Sequence, residues 1–147
     1  PEMSRGLGDV YKRQDYVFGY TILNDVSART IQNQHKQWYR GKSLDGFTPM
    51  GPWIVTPDEF DVRRPWKIQS RVNGELRQDS TTDLMIFHVP YVIAELSQGM
   101  TLRPGTIISM GTPAGVGMGF DPPKWLHPGD EVACSIEGIG TLTNTVR

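Results

Sequence analysis

The apolar positions near the start of the chain predict a strand. Residues 15–26 are almost continuously apolar, with Tyr16, Phe18, Tyr20 and Ile22 on one alternation. Such a run is typical of a strand covered on both faces. It ends at residues 24–25, Asn-Asp, which favour turns and helix caps. We therefore expect a buried strand with the carboxylate of Asp25 at its end.

Alternation further along the chain predicts a hairpin. Residues 66–72 alternate apolar and polar side chains, residues 75–79 form a second polar-rich run, and Asn73-Gly74 separates them. Asn-Gly between two such runs is the strongest short hairpin signal. Further strands are predicted at residues 53–55, 106–110, 131–136 and 141–146.

Helical spacing is confined to two segments. Residues 27–39 lack Gly and Pro, and Ser27 is a suitable cap. Residues 83–99 carry apolar side chains at helical spacing and end at Gly99, although Pro90 interrupts the pattern. Residues 40–52 and 111–119 are rich in glycine and predict loops. The sum is an α+β, β-rich domain with one or two short helices.

Composition narrows the functional classes. The 147 residues carry 15 basic and 16 acidic side chains, so a net charge of −1 argues against nucleic-acid binding. The 16 glycines and 11 prolines exceed the usual ~12% share and indicate many turns. Cys134 is the single cysteine, which excludes an intrachain disulfide and fits a cytoplasmic location. Apolar runs are too short for a membrane span, so we expect no membrane partner.

Several candidate functional residues follow the first predicted strand. An unpaired Asp25 at the end of a buried strand would be costly, so a cap, an ion pair or a metal is expected to satisfy it. Arg29 and Gln32 follow at the spacing of one helix face. Lys42 lies in the glycine-bounded loop, where a solvated lysine is the default. Taken alone, each of these residues has an ordinary structural explanation.

Several familiar sites are excluded by spacing. The glycines after residue 110 do not form G-x-G-x-x-G and no helix-forming segment follows them, so a dinucleotide fold is rejected. The same loop can be a plain turn or a backbone nest for an anion. His35, His88 and His127 lack the spacing of a zinc site, and no G-x-S-x-G elbow is present.

Five blocks in order resemble the fumarylacetoacetate hydrolase family. They are GYTILNDVSARTIQ, WYRGKSLDGFTPMGPWIVT, VNGELRQDSTTDLMIF, LSQGMTLRPGTIISMGTPAGVG and LHPGDEVACSIEGIGTLTN. The chain is most similar to the bacterial branch that handles acylpyruvates and 2-oxo-ene-dioates, as the 2-hydroxyhepta-2,4-diene-1,7-dioate isomerases do. The resemblance implies a mixed β-sheet roll for residues 15–147, whereas residues 1–14 match no motif and are interpreted as a leader outside the domain.

The resemblance implies a role for six residues. Asp25 matches one of three carboxylates that bind Mg²⁺, with Mn²⁺ or Ca²⁺ as alternatives. Arg29, Gln32 and Lys42 match catalytic positions, and Arg29 and Lys42 also hold substrate oxygens. Gly111 and Thr112 match the loop that binds the substrate carboxylate. The other two metal ligands come from an E-x-E motif, which this sequence lacks, so we expect the domain to be incomplete on its N-terminal side.

Three functions follow as hypotheses. The first is a metal-dependent enzyme that cleaves or isomerises small 2-oxo acids, such as acylpyruvates, in aromatic catabolism, and that forms a homodimer. The second is a catalytically inactive fragment. The third is a β-rich binding module that uses tryptophans as stacking faces, with Trp38, Trp53, Trp66 and Trp125 as the candidates.

Overall fold

Strands dominate the computed structural model, which describes residues 15–34 and 36–147. The strands are β1 (Tyr20–Leu23), β2 (Met50–Val55), β3 (Lys67–Val72), β4 (Glu75–Thr81), β5 (Glu131–Ile136) and β6 (Gly140–Thr145). The helices are α1 (Arg29–Gln34), α2 (Tyr39–Lys42) and α3 (Val89–Gly99). The predicted β-rich α+β class is confirmed, with three short helices instead of one or two. The leader prediction for residues 1–14 lies outside the described residues.

Two antiparallel sheets organise the described chain. One has four strands in the order β4-β3-β5-β6, and the other pairs β1 with β2. The predicted hairpin is confirmed, since Val72 pairs with Glu75 across the β3–β4 turn. Asn73 and Gly74 adopt φ angles of 50° and 81°. Two successive positive φ angles match the right-handed twist of the flanking strands, which is why Asn-Gly occupies this turn.

A small core joins the two sheets. Ile22 of β1, Val55 of β2 and Leu142 of β6 are buried together with Phe60 and Ile139. The Phe60 ring stacks on partly buried Trp66 at 4.7 Å and lies 5.2 Å from the ring of Tyr20. Burial raises the pKa of Tyr20, and the nearby charge of Asp61 raises it further. Aromatic stacking and apolar burial therefore fix the two sheets against each other.

Two strand predictions are wrong in extent or existence. The run 15–26 forms a strand only over Tyr20–Leu23, and the preceding Tyr16 and Phe18 are 68% and 79% exposed. Residues 106–110 form no strand in the described chain, and Ile107 is 59% exposed. An apolar run becomes a strand only where another strand accepts its backbone hydrogen bonds. Neither residues 15–19 nor residues 106–110 have such a neighbour within residues 15–34 and 36–147.

The helix predictions are correct in place but not in length. The segment 83–99 becomes helical only at Val89, after a single 3-10 turn at Thr82–Leu84. Pro90 therefore sits in the first turn of α3, where its missing N–H costs nothing. The segment 27–39 forms α1, and Ser27 donates its hydroxyl to the carbonyl of Asp25 at 3.1 Å. The expected loop 40–52 starts in α2 and ends in β2.

Many large apolar side chains of the described chain are exposed. Nine apolar residues are buried, whereas seventeen large apolar or aromatic side chains are exposed. At the start of α3, Phe87 and Tyr91 stack at 4.9 Å, although they are 55% and 48% exposed. No helix in the described residues is long and apolar enough to cross a membrane.

Asp130 links the β3–β4 turn to the start of β5. Asn73 donates its side-chain amide to Asp130 Oδ1 and the His127 backbone N–H donates to Oδ2, both at 2.8 Å. These hydrogen bonds, that of Asn73 first, hold the pKa of Asp130 below its ordinary value of 3.8. A carboxyl with a lowered folded pKa stabilises the fold above its unfolded pKa, and this contribution is lost as the pH falls.

We expect Asp130→Asn to lower the urea midpoint of unfolding at pH 7. The difference in urea midpoint between Asp130→Asn and the unmodified chain should shrink as the pH falls below about 4. Asp130 of the unmodified chain is then protonated first in the unfolded state and, at lower pH, also in the folded state, so its charge no longer favours folding. The measurement is a urea titration followed by circular dichroism from pH 7 to pH 3. The control is Asp45→Asn, since Asp45 is exposed and has no hydrogen-bond partner within the described part. A pH-independent difference between Asp130→Asn and the unmodified chain would contradict this account.

Candidate active site

An ion pair forms just beyond the end of β1. Asn24 donates its backbone N–H to the carbonyl of Pro49 at 3.0 Å, which keeps the chain beside β2. Asp25 follows, and its Oδ2 lies 2.5 Å from Nζ of Lys42, the last residue of α2. The Lys42 and Asp25 side chains are 26% and 42% exposed. An ion pair this exposed adds little stability.

Close packing of α1 on α2 holds the neighbouring residues. Gln32 is buried at 5% exposure, and its Oε1 accepts a hydrogen bond from Arg29 Nη1 at 2.9 Å. Gly41 packs against Gln32 so closely that a Cβ there would lie 2.9 Å from the Gln32 Cβ. The Gly41 carbonyl also accepts the N–H of Ala28 at 2.9 Å. The helix with Arg29 is thereby fixed beside the helix with Lys42.

The glycine loop is attached to strand β4. Gln78 Nε2 lies 2.8 Å from Thr112 Oγ1 and 2.8 Å from the carbonyl oxygen of Pro113. Gly115 has a φ of 105°, and a Cβ there would overlap the backbone carbonyl of Arg77. Only glycine allows the loop backbone to lie this close to the strand. Thr112 itself is exposed.

The six predicted site residues, Asp25, Arg29, Gln32, Lys42, Gly111 and Thr112, all line one open concavity of about 2810 Å³. More than half of the described residues line it as well, so this common lining does not by itself bring the six residues together. A pocket for one small ligand measures roughly 300–1,000 Å³, so this concavity is an open face and not a closed pocket. Direct contacts join Asp25 to Lys42 and Arg29 to Gln32. Thr112 contacts a residue that the sequence did not single out, Gln78.

The charges of the site favour an anion. Arg29 and Lys42 supply two positive charges against the single carboxylate of Asp25. A surplus of positive charge in a concave site raises the local concentration of anionic ligands. The exposed hydroxyl of Thr112 adds a neutral hydrogen-bonding group on the same face.

A divalent cation does not find a complete ligand set here. Mg²⁺ and Ca²⁺ prefer several oxygen ligands. Within residues 15–34 and 36–147, no three His, Cys, Asp or Glu side chains lie close enough to hold a metal. Asp25 offers one carboxylate, and one of its oxygens is already paired with Lys42. The described residues therefore fit a contributing ligand and not a whole metal centre.

The cysteine and the four tryptophans that the sequence offered as candidates either pack against the core or are exposed. Cys134 packs against the core, and burial raises the pKa of its thiol. Trp66 is partly buried against the core and donates its ring N–H to the carbonyl of Asp61 at 2.8 Å, so it offers no stacking face. Trp38, Trp53 and Trp125 are exposed. His35 lies outside the described residues.

Comparison with known proteins places the chain in a family. The family described as fumarylacetoacetate (FAA) hydrolase C-terminal matches residues 3–147. The chain therefore belongs to the fumarylacetoacetate hydrolase family.

Three relatives illustrate the similarity. The oxaloacetate tautomerase YisK of Bacillus subtilis is 52% identical over 90% of this chain and 44% of the relative. The fumarylacetoacetate hydrolase structure from Exiguobacterium antarcticum is 52% identical with a TM-score of 0.91, over 95% of this chain and 50% of that chain. The 2-hydroxyhepta-2,4-diene-1,7-dioate isomerase structure from Mycobacterium marinum is 46% identical with a TM-score of 0.84, over 94% and 51%. The chain thus spans about half the length of these relatives.

The contact at Gly41 yields a paired stability test. We expect Gly41→Ala to destabilise the fold by about 1–3 kcal/mol, because the new methyl group must displace Gln32. Gly99→Ala is the matched control, since Gly99 also lies in the last turn of a helix and a Cβ there meets nothing within 4 Å. This control should be neutral or stabilising by up to ~1 kcal/mol. Thermal unfolding measures both, and equal effects would contradict the close-packing argument.

Proposed function

We propose that this chain carries the substrate-binding face of an enzyme that isomerises small 2-oxo acids between keto and enol forms. The observation that carries the proposal is the pairing of Lys42 with Asp25 beside the Arg29–Gln32 hydrogen bond. Lys42 is paired with the carboxylate of Asp25, and Arg29 lies on α1, which packs against the helix that carries Lys42. The names of two relatives, an oxaloacetate tautomerase and a 2-hydroxyhepta-2,4-diene-1,7-dioate isomerase, support the reaction class.

The chemistry explains why cations are needed. In tautomerisation, the proton on the carbon beside the keto group passes to a water molecule and solvent returns a proton to the keto oxygen, so no atom is gained or lost overall. Negative charge develops on that oxygen before it is protonated. A fixed positive charge stabilises the developing anion more than the neutral ketone, which lowers the barrier.

Each residue has a place in this proposal. Lys42 supplies the positive charge, and Asp25 holds its ammonium group in position through the 2.5 Å contact. Gln32, anchored by burial, keeps the Arg29 guanidinium oriented toward a substrate carboxylate. Gly111 and Thr112 bind a carboxylate of the substrate. Asp25 would contribute one oxygen ligand to Mg²⁺, with Mn²⁺ or Ca²⁺ as alternatives, and such an ion would supply further positive charge for the substrate oxygens.

Carbon–carbon bond hydrolysis is the second reaction of the same site. It is favoured by the fumarylacetoacetate hydrolase structure that shares 52% identity. Hydrolysis also generates an enolate, so Lys42 and Arg29 would act in the same way. It additionally requires a base that activates water, and no residue is assigned to that role. Isomerisation needs fewer groups and is therefore preferred.

We expect Lys42→Met to reduce kcat/KM for oxaloacetate tautomerisation by about 10²–10³-fold, because an electrostatic contact to the developing oxyanion is lost. The assay follows the ultraviolet absorbance of the enol form in the presence of Mg²⁺. Arg40→Met is the matched control, since it removes a positive charge from an exposed position of the same helix. No acceleration by the unmodified chain would favour the inactive-fragment hypothesis. Equal losses in the two variants would contradict the role of Lys42.

The metal ligand is tested without catalysis. We expect Mg²⁺ to bind the unmodified chain weakly in calorimetry, since one carboxylate is available, and Asp25→Asn to abolish the binding heat. Asp45→Asn, which changes another exposed carboxylate, should leave the heat unchanged. Retention of Mg²⁺ binding by Asp25→Asn would show that the ion binds elsewhere.

A further inference from the structure

We propose that Gln78 of β4 is a positioning residue that makes Thr112 a hydrogen-bond donor to the carboxylate of the bound acid. The inference rests on the proposed function and assigns the polarity of one of its contacts. It follows from the two 2.8 Å contacts of Gln78 Nε2, one to Thr112 Oγ1 and one to the carbonyl oxygen of Pro113.

The orientation of the Gln78 amide is set by its neighbours. The carbonyl oxygen of Pro113 can only accept a hydrogen bond, so the amide nitrogen and not the amide oxygen must face it. An amide nitrogen has two hydrogens and no acceptor lone pair. Its second hydrogen therefore points to Thr112 Oγ1, which accepts that bond.

A hydroxyl that accepts from an amide keeps its own hydrogen free. Thr112 is exposed and lines the concave face that also carries Lys42 and Arg29. Its hydrogen can then be donated to an anion on that face, and the bond accepted from Gln78 strengthens it as a donor. Without Gln78, the hydroxyl would be free to rotate and donate to the Pro113 carbonyl or to water.

Further contacts hold the rest of the loop against β4, the strand that carries Gln78. Gly115 lies against the Arg77 carbonyl next to Gln78. Further along, Lys124 Nζ lies 2.5 Å from Glu75 Oε1, and the Lys124 N–H donates to the Gly117 carbonyl at 2.9 Å. Both Glu75 and Arg77 belong to β4. The loop thus follows the same strand that carries Gln78, which limits its freedom to move the Thr112 hydroxyl away.

Three variants test the inference. Gln78→Met keeps the side-chain length and removes both hydrogen bonds. Gln78→Glu is nearly isosteric but has only acceptors when ionised, so it would take the hydroxyl hydrogen of Thr112 and reverse the bond. Thr112→Val removes the hydroxyl. Gln98→Glu is the matched control, because it makes the same charge change at an exposed residue of α3 that also lines the concavity, and its side chain contacts Glu95 instead of the glycine loop.

The first readout does not need a ligand. Amide hydrogen exchange of the ligand-free chain should be faster in residues 111–116 for Gln78→Met and Gln78→Glu, and unchanged for Gln98→Glu. Unchanged exchange in both Gln78 variants overturns the inference, whatever the chain binds.

The second readout is the affinity for oxalate, a stable dicarboxylate, measured by calorimetry with Mg²⁺ present. We expect Thr112→Val to weaken binding about 10- to 100-fold, the range of a hydrogen bond to a charged group. Gln78→Met should weaken it by a similar or smaller factor, and Gln78→Glu by more. In the Thr112→Val background, Gln78→Met should add less than about 2-fold, since its effect passes through Thr112.

The outcomes separate the two proposals. Independent, multiplying losses for Gln78→Met and Thr112→Val overturn the positioning role while leaving the proposed function intact. Absence of oxalate binding by the unmodified chain contradicts the proposed function and the ligand side of this inference together. A Gln98→Glu variant that weakens binding as much as Gln78→Glu shows that charge alone is responsible, which also overturns the role of Gln78.

Discussion

The candidate site depends on the burial of the core between the two sheets. Ile22 and Val55 belong to the β1–β2 pair, whereas Leu142 belongs to the larger sheet, and all three are buried in one cluster. The hydrophobic effect at this contact fixes the end of β1. Asp25 comes two residues after that end, so the direction of its carboxylate follows from the burial of side chains that have no chemical role.

A second constraint is the close approach of backbone to side chain at glycine. Gly41 allows α2 to touch Gln32, and Gly115 allows the glycine loop to touch β4. Gly41 lies where α2, which carries Lys42, contacts α1. Gly115 lies where the loop that carries Thr112 contacts β4. The glycines of the R-G-K-S segment and of the 111–119 loop are thus explained by close packing and not by a need for flexibility. They bring the site residues close enough to one another for hydrogen bonds and ion pairs.

Among the described residues, many large apolar side chains are exposed and no complete metal ligand set is present. The chain spans about half the length of its relatives. Within the described residues, the concave face is far larger than a small ligand requires and Asp25 is the carboxylate that the site supplies. In the candidate site, Lys42 and Arg29 carry positive charge and Thr112 carries a hydroxyl.

The sequence by itself determined those features that depend on neighbours along the chain. The Asn73-Gly74 hairpin, the β5 strand and the class of fold were predictable, because turn chemistry and alternation are local properties. For Asp25, the sequence left three alternatives open: a helix cap, an ion pair with a basic side chain, or a metal ion. Only the tertiary structure decided that Lys42 is the partner. It also left residues 106–110 without a paired strand and joined Gln78 to Thr112, thirty-four positions further along the chain. Such contacts arise where distant segments are packed side by side, and no local pattern of residues encodes which segments will meet.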